Sequence, residues 1–301
     1  MTDIIIIIGA GTAGLTSAIY ALRAGKNVLV LEEKMYGGQI INTPDIENYP
    51  GFKNISGYEF ATNLYNQAKE LGMIYKNEKV LEIQEDSNGT KTVVTDKETY
   101  TAKAVIIASG AKNRPLGIDR EQEFTGKGVS YCATCDGAFF RGRDVAVVGG
   151  GNTALEDSLF LSSYCNTVYV IHRRDEFRGD VREVEKLKAK DNVKLIMDSQ
   201  VTDIIGEDMV SGIKVKNLKG GEEREIKVNG LFIAIGQMPD NERFKNLVDL
   251  DEKGYIIAGE DCRTSTAGIF AAGDCRTKNV RQLVTAAGDG AVAALAACSI
   301  S

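Results

Sequence analysis

Two segments of the chain carry the same succession of apolar and polar positions. Residues 4–34 align with residues 144–174 without a gap, and each contains a short apolar run, a glycine-rich turn, a stretch of helical length and a second apolar run. Apolar runs without alternation are typical of parallel strands that are covered on both faces. The pattern therefore predicts two strand–helix–strand units, one at the start of the chain and one near its middle.

Apolar and polar residues alternate in two further segments, as they do in strands with one face toward solvent. Residues 78–107 alternate around an Asn-Gly pair at residues 88–89, and residues 212–236 alternate around a Gly-Gly pair at residues 220–221. Both pairs favour tight hairpin turns. We therefore expect a β-meander inserted in each module.

The segment after residue 243 is too short to form an independent domain. It contains an apolar stretch and an alanine-rich helix at residues 284–300, and we expect it to return to the first module. The predicted fold class is α/β, with two Rossmann-like dinucleotide-binding domains of the three-layer ββα type. The predicted boundaries are 1–112 with 245–301 for the first domain and 113–244 for the second.

The composition describes a soluble globular protein and excludes several partners. Of the 301 residues, 43% are hydrophobic and 26% are charged, and 36 basic against 42 acidic residues give a net charge of −6. A chain without an overall positive charge has no general attraction for nucleic acid or anionic lipid. Asp3 stands where a signal peptide has basic residues, and no apolar stretch reaches the roughly 18–20 residues that span a bilayer. We expect neither a nucleic-acid partner nor a membrane location.

The six cysteines are too few for a disulfide-stabilised scaffold, and only Cys132 and Cys135 form a closely spaced pair. Such a pair indicates a redox-active disulfide in a reducing cytoplasm, at a helix start whose amide groups stabilise a thiolate. Asp136 follows directly, where it is placed to pass a proton to or from the leaving thiolate. Half a zinc site and a structural bridge are the alternatives. Because zinc needs four ligands and the chain has a single histidine and no second such pair, we expect no metal.

The first glycine-rich turn has the spacing of a dinucleotide-binding motif. Gly9, Gly11 and Gly14 follow a predicted strand and open a predicted helix. In this motif the first glycine forms the turn, the second lets the backbone approach a pyrophosphate, and the third allows close packing of helix and strand. Glu32 ends the second strand, where a carboxylate accepts hydrogen bonds from ribose hydroxyls; a solvated glutamate is the alternative.

The second repeat carries the opposite charge at the equivalent place. Its strand is followed by His172, for which we expect a minor, positional role, and then by three arginines: Arg173, Arg174 and Arg178. Guanidinium groups bind a 2′-phosphate, whereas a carboxylate repels it. The first site therefore suits an unphosphorylated adenosine such as that of FAD, and the second suits NADPH. A solvated basic patch is the alternative for the arginines.

Several motifs follow one another and cover most of the chain. They are GAGTAG with GGQ after it, SYCATCDGAFF, GGGNTALED, HRRDEFR and AAGDCRTKNVRQLVTAAGDGAVAA. In combination and order they resemble the low-molecular-weight thioredoxin reductases of bacteria. The resemblance implies a homodimeric flavoprotein with bound FAD, in which NADPH reduces the flavin, the flavin reduces the cysteine pair, and the pair reduces the disulfide of thioredoxin.

The resemblance also implies roles for individual residues. Cys135, beside Asp136, faces the flavin in that family, and Cys132 attacks the protein substrate. The positions that match FAD-binding residues are Gly9, Gly11, Gly14, Glu32, Gly38, Gln39, Gly273, Asp274, Arg281, Gln282 and Leu283. The positions that match NADPH-binding residues are Gly149, Gly151, Asn152, Thr153, Ala154, His172, Arg173, Arg174 and Arg178.

Two segments of the chain differ from the corresponding segments of related enzymes. Residues 37–43, which follow the first strand–helix–strand unit, contain no cysteine, whereas the larger glutathione-reductase-like enzymes have their redox cysteines there. Residues 236–241 match less well than the other motifs, because Asn241 stands where the resembling family often has Thr or Ser. This departure concerns the junction between the domains and not the chemistry.

Other functions fit the same residues less well. A ferredoxin-dependent reductase or a dithiol oxidase is the runner-up, but relatives of both kinds have lost the pyridine-nucleotide motifs that this chain keeps. A non-catalytic FAD-binding or zinc-binding module leaves the arginines and the cysteine pair unexplained together. We therefore expect an NADPH-dependent disulfide reductase that acts on a small redox protein.

The order of the motifs along the chain implies a movement. Cys135 lies shortly before Gly149, so the disulfide and the NADPH site belong to the second module, whereas the flavin belongs to the first. If one face of the flavin ring is covered, the nicotinamide and the disulfide must take turns at the other. We expect the second module to rotate between two poses, with hinges near residues 111–118 and 240–245.

Overall fold

The chain folds into two compact units. The computed structural model describes residues 4–43 and 45–300. One unit comprises Met1–Lys112 and Met238–Ser301, and the other comprises Asn113–Gln237. The first unit is therefore discontinuous in sequence, and the chain passes twice between the units.

The second passage occurs earlier than the expected boundary between residues 244 and 245. Asn241 is buried, and its side-chain amide donates hydrogen bonds to the carbonyl oxygens of Gly254 and Cys275. Phe244 is also buried, in an apolar core of the first unit. Because these partners all belong to the first unit, the structure places the division between residues 237 and 238.

The first unit begins with the predicted strand–helix–strand motif. Strand β1 consists of five consecutive isoleucines, four of them buried, and β-branched residues pack well in strands. The elements in chain order are β1 (Ile4–Ile8), α1 (Thr12–Arg23), β2 (Asn27–Glu32), a 3-10 helix (Gly38–Asn42), α2 (Gly57–Glu70) and β3 (Ile74–Asn77). Strands β1 and β2 pair in parallel with Ile4 opposite Asn27, as the pattern predicts.

The predicted meander of the first unit follows β3. It is an antiparallel sheet of three strands, whose first hairpin turns at Gly89 with a φ of +80°. The elements are β4 (Val80–Glu85), β5 (Lys91–Thr95) and β6 (Thr99–Ala102), followed by β7 (Ala104–Ile107) and β8 (Ala111–Asn113). Strand β7 leaves the meander and pairs in parallel with β1.

The second unit repeats this plan. The elements are β9 (Val129–Ser130), α3 (Ala133–Asp136), a 3-10 helix (Gly137–Phe140), β10 (Asp144–Val148), α4 (Asn152–Ser162), β11 (Thr167–Ile171), α5 (Val181–Lys188), β12 (Val193–Ile196), β13 (Ser199–Gly206), β14 (Val210–Asn217), β15 (Glu223–Ile226) and β16 (Gly230–Ile233), and β17 (Gln237–Pro239) begins at the last residue of this unit and continues into the first unit. The parallel sheet of the second unit has the order β12-β11-β10-β16-β9, and its meander has the order β13-β14-β15. The second meander thus begins at Ser199, before residues 212–236, in which apolar and polar residues alternate.

The end of the chain returns to the first unit, as expected. The elements are a 3-10 helix (Glu242–Phe244), β18 (Ile269–Ala271), a 3-10 helix (Gly273–Cys275) and α6 (Leu283–Cys298). Strand β18 pairs in parallel with β7, which completes a sheet of order β18-β7-β1-β2-β3. Helix α6 packs on α1, where the Ser17 hydroxyl donates to the Gly290 carbonyl oxygen at 3.0 Å.

Each parallel sheet lies between a helical layer and a meander. Ile5 and Ile7 belong to an apolar core with α1 and α6, whereas Ile6 and Ile8 belong to a core with the first meander. Strand β10 of the second unit divides its side chains in the same way. This arrangement explains why the strands are apolar at every position, and it confirms the three-layer fold class. Within the described residues, no helix combines the length and apolar character needed to cross a bilayer.

The contact between α1 and α6 yields a stability test. A Cβ atom at Gly290 would lie 2.4 Å from the Ala13 carbonyl oxygen, so we expect Gly290→Ala to lower the free energy of unfolding by ~1–3 kcal/mol through overpacking. Gly288 on the same helix has no atom within 4 Å of such a Cβ, so Gly288→Ala should raise it by ~0.5–1 kcal/mol. Urea denaturation measures both, and equal effects would contradict the close packing of the two helices.

Candidate active site

The first glycine turn brings the backbone of α1 against the end of β1. Gly9 has a φ of +103°, and a Cβ there would lie 2.3 Å from the Ala108 carbonyl oxygen. A Cβ at Gly14 would lie 1.9 Å from the Gly9 carbonyl oxygen. Gly11 is the N-cap of α1, with no side chain over the helix N-terminus. The turn therefore has the geometry that a helix N-terminus needs to receive a phosphate.

The segment after β2 lies beside this turn. Gly38 has a φ of +63°, and a Cβ there would lie 3.3 Å from the Gly11 Cα atom. The side-chain amide of the next residue, Gln39, donates to the carbonyl oxygen of Ala111. Two of the predicted FAD-binding segments are thus brought together without side chains between them.

Glu32 holds the glycine turn through backbone hydrogen bonds. One carboxylate oxygen accepts from the Ala10 amide at 2.8 Å and the other from the Lys34 amide at 3.0 Å. A carboxylate has about four lone-pair sites, so two acceptor sites remain for ligand hydroxyls. The sequence analysis did not foresee that Glu32 also fixes the turn beside it.

Asp274 has a buried oxygen that lacks a donor. It follows Gly273, whose φ is +80° and whose Cβ would lie 2.8 Å from the Ala13 Cβ atom, so this late motif meets the start of α1. Among the described residues, no group donates a hydrogen bond to Asp274 Oδ1. Burial raises the pKa of the Asp274 carboxyl group. A ligand hydroxyl would supply the missing donor, which fits the ribityl chain of a flavin nucleotide.

The remaining predicted FAD contacts lie at the start of α6. The Arg281 guanidinium lies 4.1 Å over the Tyr255 ring and donates to the Arg276 carbonyl oxygen. Gln282 is the N-cap of α6 and forms a capping box with Thr285. Leu283 begins the helix and packs against an apolar cluster formed with α2. The helix start is thus held in place independently of a ligand.

The second glycine turn repeats the first with one substitution. A Cβ at Gly149 would lie 2.4 Å from the Ala234 carbonyl oxygen, and Ala154 is fully buried at the third position of the motif. A Cβ at Gly151 would meet no atom within 4 Å, so the backbone at the start of α4 faces open space. Thr153 is exposed in the first turn of α4. This opening is suited to a phosphate group.

Asn152 has a role that the sequence analysis did not foresee. Its Oδ1 atom accepts from the Asp180 amide at 2.8 Å, and a Cβ at Gly179 would lie 2.8 Å from the same oxygen. Asn152 therefore joins the start of α4 to the loop that carries the arginines. A glycine directly before the helix-capping Asp180 is the sequence signal that could have indicated this contact.

His172 packs against the same turn. A Cβ at Gly150 would lie 2.1 Å from its Cε1 atom, its Nε2 atom lies 3.1 Å from the Glu176 carbonyl oxygen, and its ring stacks on Phe177. Burial lowers the pKa of His172, and the charges of the neighbouring arginines add to this effect. The ring is therefore a neutral support for the turn near pH 7.

The three arginines form an exposed positive group beside this opening. The Arg178 amide donates to the Gly150 carbonyl oxygen at 2.7 Å, which ties their loop to the glycine turn. Within residues 4–43 and 45–300, no carboxylate pairs with the side chain of Arg173, Arg174 or Arg178. Such uncompensated guanidinium groups are suited to a phosphate.

The cysteine pair forms a disulfide at a short helical turn. The Cα atoms of Cys132 and Cys135 are 5.3 Å apart, and Cys132 is the N-cap of α3. The Cys132 carbonyl oxygen accepts from the Asp136 amide at 3.1 Å. Both cysteines are half-buried, so the disulfide is open to a partner on one side.

Ser130 connects the two chemical groups of this turn. Its hydroxyl donates to Asp136 Oδ2 at 2.6 Å and accepts from the Cys132 amide at 3.1 Å. Burial raises the pKa of Asp136, and the hydrogen bond from Ser130 lowers it in part. Ser130 was not among the residues expected from the sequence, although its place two residues before the first cysteine was a signal.

A buried carboxylate supports the segment before the disulfide. Glu121 accepts from the Tyr131 hydroxyl at 2.6 Å and from the amides of Leu116 and Gly117 at 3.0 and 2.9 Å. Tyr131 directly precedes Cys132. Glu121 therefore links the redox turn to the segment that enters the second unit, and no sequence motif indicates this contact.

Comparison with known proteins places these motifs in a family. The family model of the pyridine nucleotide-disulphide oxidoreductases matches residues 3–290. A thioredoxin reductase of Listeria monocytogenes serovar 1/2a is 43% identical over 96% of this chain and 91% of its own length. A thioredoxin reductase of Bacillus subtilis is 42% identical over 96% of this chain and 92% of its own.

A solved structure gives the same result. The crystal structure of thioredoxin reductase from Streptococcus pyogenes has a TM-score of 0.92 with this chain at 43% identity, and the match covers 98% of this chain and 97% of the other. The chain belongs to the pyridine nucleotide-disulphide oxidoreductase family and, within it, to the thioredoxin reductases.

Proposed function

We propose that this protein is an NADPH-dependent thioredoxin reductase that passes electrons through FAD to the Cys132–Cys135 disulfide and on to thioredoxin. One observation carries the proposal: the disulfide occurs in the same unit as an open glycine turn flanked by three arginines that pair with no carboxylate of the described residues. The thioredoxin reductases among its relatives support the choice of substrate. The protein substrate is accordingly thioredoxin or a small protein like it.

FAD is the flavin that we assign to the first unit. Family membership implies a flavin and a nicotinamide nucleotide. The N-terminus of α1 between Gly9 and Gly14 would hold the pyrophosphate, and the free lone pairs of Glu32 would accept from the adenosine ribose. Asp274 would accept from a hydroxyl of the chain next to the flavin ring, which satisfies its unpaired oxygen.

NADPH is the nucleotide that we assign to the second unit. The N-terminus of α4 at Gly151 would receive its pyrophosphate, and Arg173 and Arg174 would bind its 2′-phosphate. His172 supports the turn and makes no charge contribution near neutral pH. A ferredoxin-dependent enzyme or a dithiol oxidase on this scaffold would have no use for the arginines.

The redox turn would carry out the exchange with thioredoxin. When bound, NADPH supplies a hydride and FAD carries its two electrons to the disulfide. The Cys132 thiolate attacks one sulfur of the thioredoxin disulfide, so that a mixed disulfide forms and a thioredoxin thiolate leaves. Cys135 then attacks the Cys132 sulfur, which restores the internal disulfide and releases the second thioredoxin thiolate.

Asp136 would supply or accept the proton in these steps. Its raised pKa keeps a larger protonated fraction near neutral pH than an exposed aspartate has, which suits a proton donor to a leaving thiolate. Ser130 holds the carboxyl group beside the redox turn through the same hydroxyl that fixes the Cys132 amide. The groups for proton transfer and for disulfide exchange therefore lie in the same turn and are joined by the Ser130 hydroxyl.

Rotation of the second unit during turnover is part of the proposal. The nicotinamide site and the disulfide both belong to Asn113–Gln237, and the flavin site belongs to the other unit. We place the hinges at the two chain passages: residues 112–113 lie within the first expected hinge, and residues 237–238 precede the expected second hinge at 240–245. Homodimer formation and a cytoplasmic location stay predictions from the sequence and the resemblance.

Replacing either redox cysteine should stop thioredoxin reduction without emptying the flavin site. We expect Cys132→Ser and Cys135→Ser to keep bound FAD and its reduction by NADPH, because neither residue lies in a glycine turn. Cys298→Ser, which removes a free cysteine elsewhere, should leave turnover unchanged. A coupled assay with thioredoxin measures the outcome, and full turnover by either redox variant would refute the proposed role of the pair.

Cofactor preference should depend on the two leading arginines. Replacing Arg173 and Arg174 with alanine removes charge-assisted hydrogen bonds of roughly 1.5–3 kcal/mol each, not fully additive, so kcat/KM for NADPH should fall by about tenfold or more with little change for NADH. Arg224→Ala, at an exposed position of β15, is the matched control. If the double variant prefers NADPH as strongly as the parent, the arginines do not bind the 2′-phosphate.

Removing the Ser130 hydroxyl should shift a pH profile. The hydrogen bond from Ser130 lowers the pKa of Asp136, so Ser130→Ala should raise that pKa further and extend the protonated form to higher pH. The alkaline limb of kcat with thioredoxin should move up in pH, and it should be absent in Asp136→Asn. Ser163→Ala, at an exposed position, is the control and should leave the pH profile of kcat unchanged. If the alkaline limb of Ser130→Ala lies at the same pH as in the parent, Ser130 has no part in the proton transfer.

A further inference from the structure

A buried carboxylate on α6 is not used by the proposed mechanism. Asp289 accepts from Arg276 Nε and from a terminal guanidinium nitrogen of Arg276, each at 2.8 Å, and from Lys278 Nζ at 2.9 Å. Asp289 is 8% exposed and Arg276 is 2% exposed. Two cations and one anion are thus held together inside the first unit, and the fully exposed Glu260 lies 3.9 Å from Arg276.

The same carboxylate also holds the backbone of the flavin motif. Asp289 Oδ2 accepts from the Gly273 amide at 2.9 Å, and Gly273 directly precedes Asp274. Gly273 has a φ of +80° and begins a single turn of 3-10 helix. Asp289 therefore ties both ends of the segment from Gly273 to Lys278 to helix α6.

Stability alone is a weak reason for such a network. Buried ion pairs contribute little net stability compared with well-packed apolar residues, because both charges lose their hydration. The network is, however, directly beside a carboxylate whose Oδ1 atom has no donor in the described part of the chain. A carboxylate that is to bind a ligand and has no hydrogen-bond donor of its own must be held in position by the surrounding structure.

We propose that Asp289 is a positioning residue of the flavin site: it fixes the Gly273 backbone, and through it the direction of the Asp274 carboxylate, before FAD binds. The inference rests on the proposed function only in taking FAD as the ligand of the first unit. Hydrogen bonds from Arg276 and Lys278 keep Asp289 ionised, because they lower its pKa against the opposing effect of burial. A neutral side chain at this position would leave the buried Arg276 guanidinium without its counter-ion.

Asp289→Asn is the variant that isolates this role. Asparagine places a donor NH2 group where one of the two Asp289 oxygens accepts, so it cannot keep both the Gly273 amide contact and the two-point Arg276 contact, and it removes the charge that holds Arg276 and Lys278. We expect the dissociation constant for FAD to rise by about tenfold or more, the scale of a lost charge-assisted hydrogen bond. It is measured by the rise of flavin fluorescence when the holoprotein is diluted.

A double-mutant cycle with Asp274 distinguishes positioning from a general loss of structure. If Asp289 acts through Asp274, the variant Asp274→Asn with Asp289→Asn should bind FAD no more weakly than Asp274→Asn alone. Additive losses in the double variant would show that Asp289 acts independently of Asp274 and would overturn the inference. An unchanged dissociation constant in Asp289→Asn would do the same.

Two further variants serve as controls. Glu85→Gln breaks another ion pair of the same unit, between the exposed Glu85 and the buried Lys91 at 2.6 Å, and should lower Tm while leaving FAD binding unchanged. If Asp289→Asn does not fold, Arg276→Lys is the substitute, because it keeps the positive charge but loses the two-point contact with Asp289. Arg276→Lys should weaken FAD binding in the parent protein, and it should not weaken it further when combined with Asp274→Asn. If the parent protein binds no FAD, the proposed function itself is wrong. If the parent binds FAD and the losses of FAD affinity in the Asp274 and Asp289 variants are additive, only this inference is wrong.

Discussion

The close approach of helix α1 to strand β1 is the constraint on which the first unit depends. A side chain at Gly14 would occupy the space of the Gly9 carbonyl oxygen, so the helix starts directly at the end of the sheet. Parallel strands bring their carboxyl ends to the same edge, and Glu32 therefore lies beside the helix N-terminus and fixes the turn. The second unit repeats this arrangement around Gly149 with arginines in place of the carboxylate. We propose that one backbone geometry thus serves two nucleotides and that the charge at the end of the second strand distinguishes them.

The parts of this fold that the sequence predicted are those set by local pattern. Strands covered on both faces must be apolar at every position, and β1 and β10 satisfy this requirement with few polar interruptions. Turns that require a positive φ select glycine, so the glycine turns and the meander turn at Gly89 could be located. Strand β13 was missed because a register shift between Val201 and Asp203 interrupts its alternation.

The remaining features depend on which side chains meet in the folded chain and not on a periodic pattern of apolar and polar residues. Asn241 is buried by hydrogen bonds to residues 254 and 275, which no local pattern records, and the domain boundary differs for that reason. Glu121 and Asp289 are buried carboxylates that sequence cannot tell from solvated ones. Ser130 is a common residue whose role appears only when its hydroxyl is seen between Asp136 and the Cys132 amide. Motifs therefore indicated the groups that we propose to meet ligands, whereas the groups that hold them in place required the structure.

The central claim is that one chain carries electrons from a nicotinamide nucleotide through a flavin to its own disulfide. The most direct test is an anaerobic titration of the pure protein with NADPH, without thioredoxin, followed by thiol labelling and mass spectrometry. We expect the flavin absorbance to bleach and Cys132 and Cys135 to become labelled together, whereas the free and partly exposed Cys298 is labelled before and after. Bleached flavin with both redox cysteines still unlabelled would contradict the account, because electrons would then reach the flavin and not the disulfide.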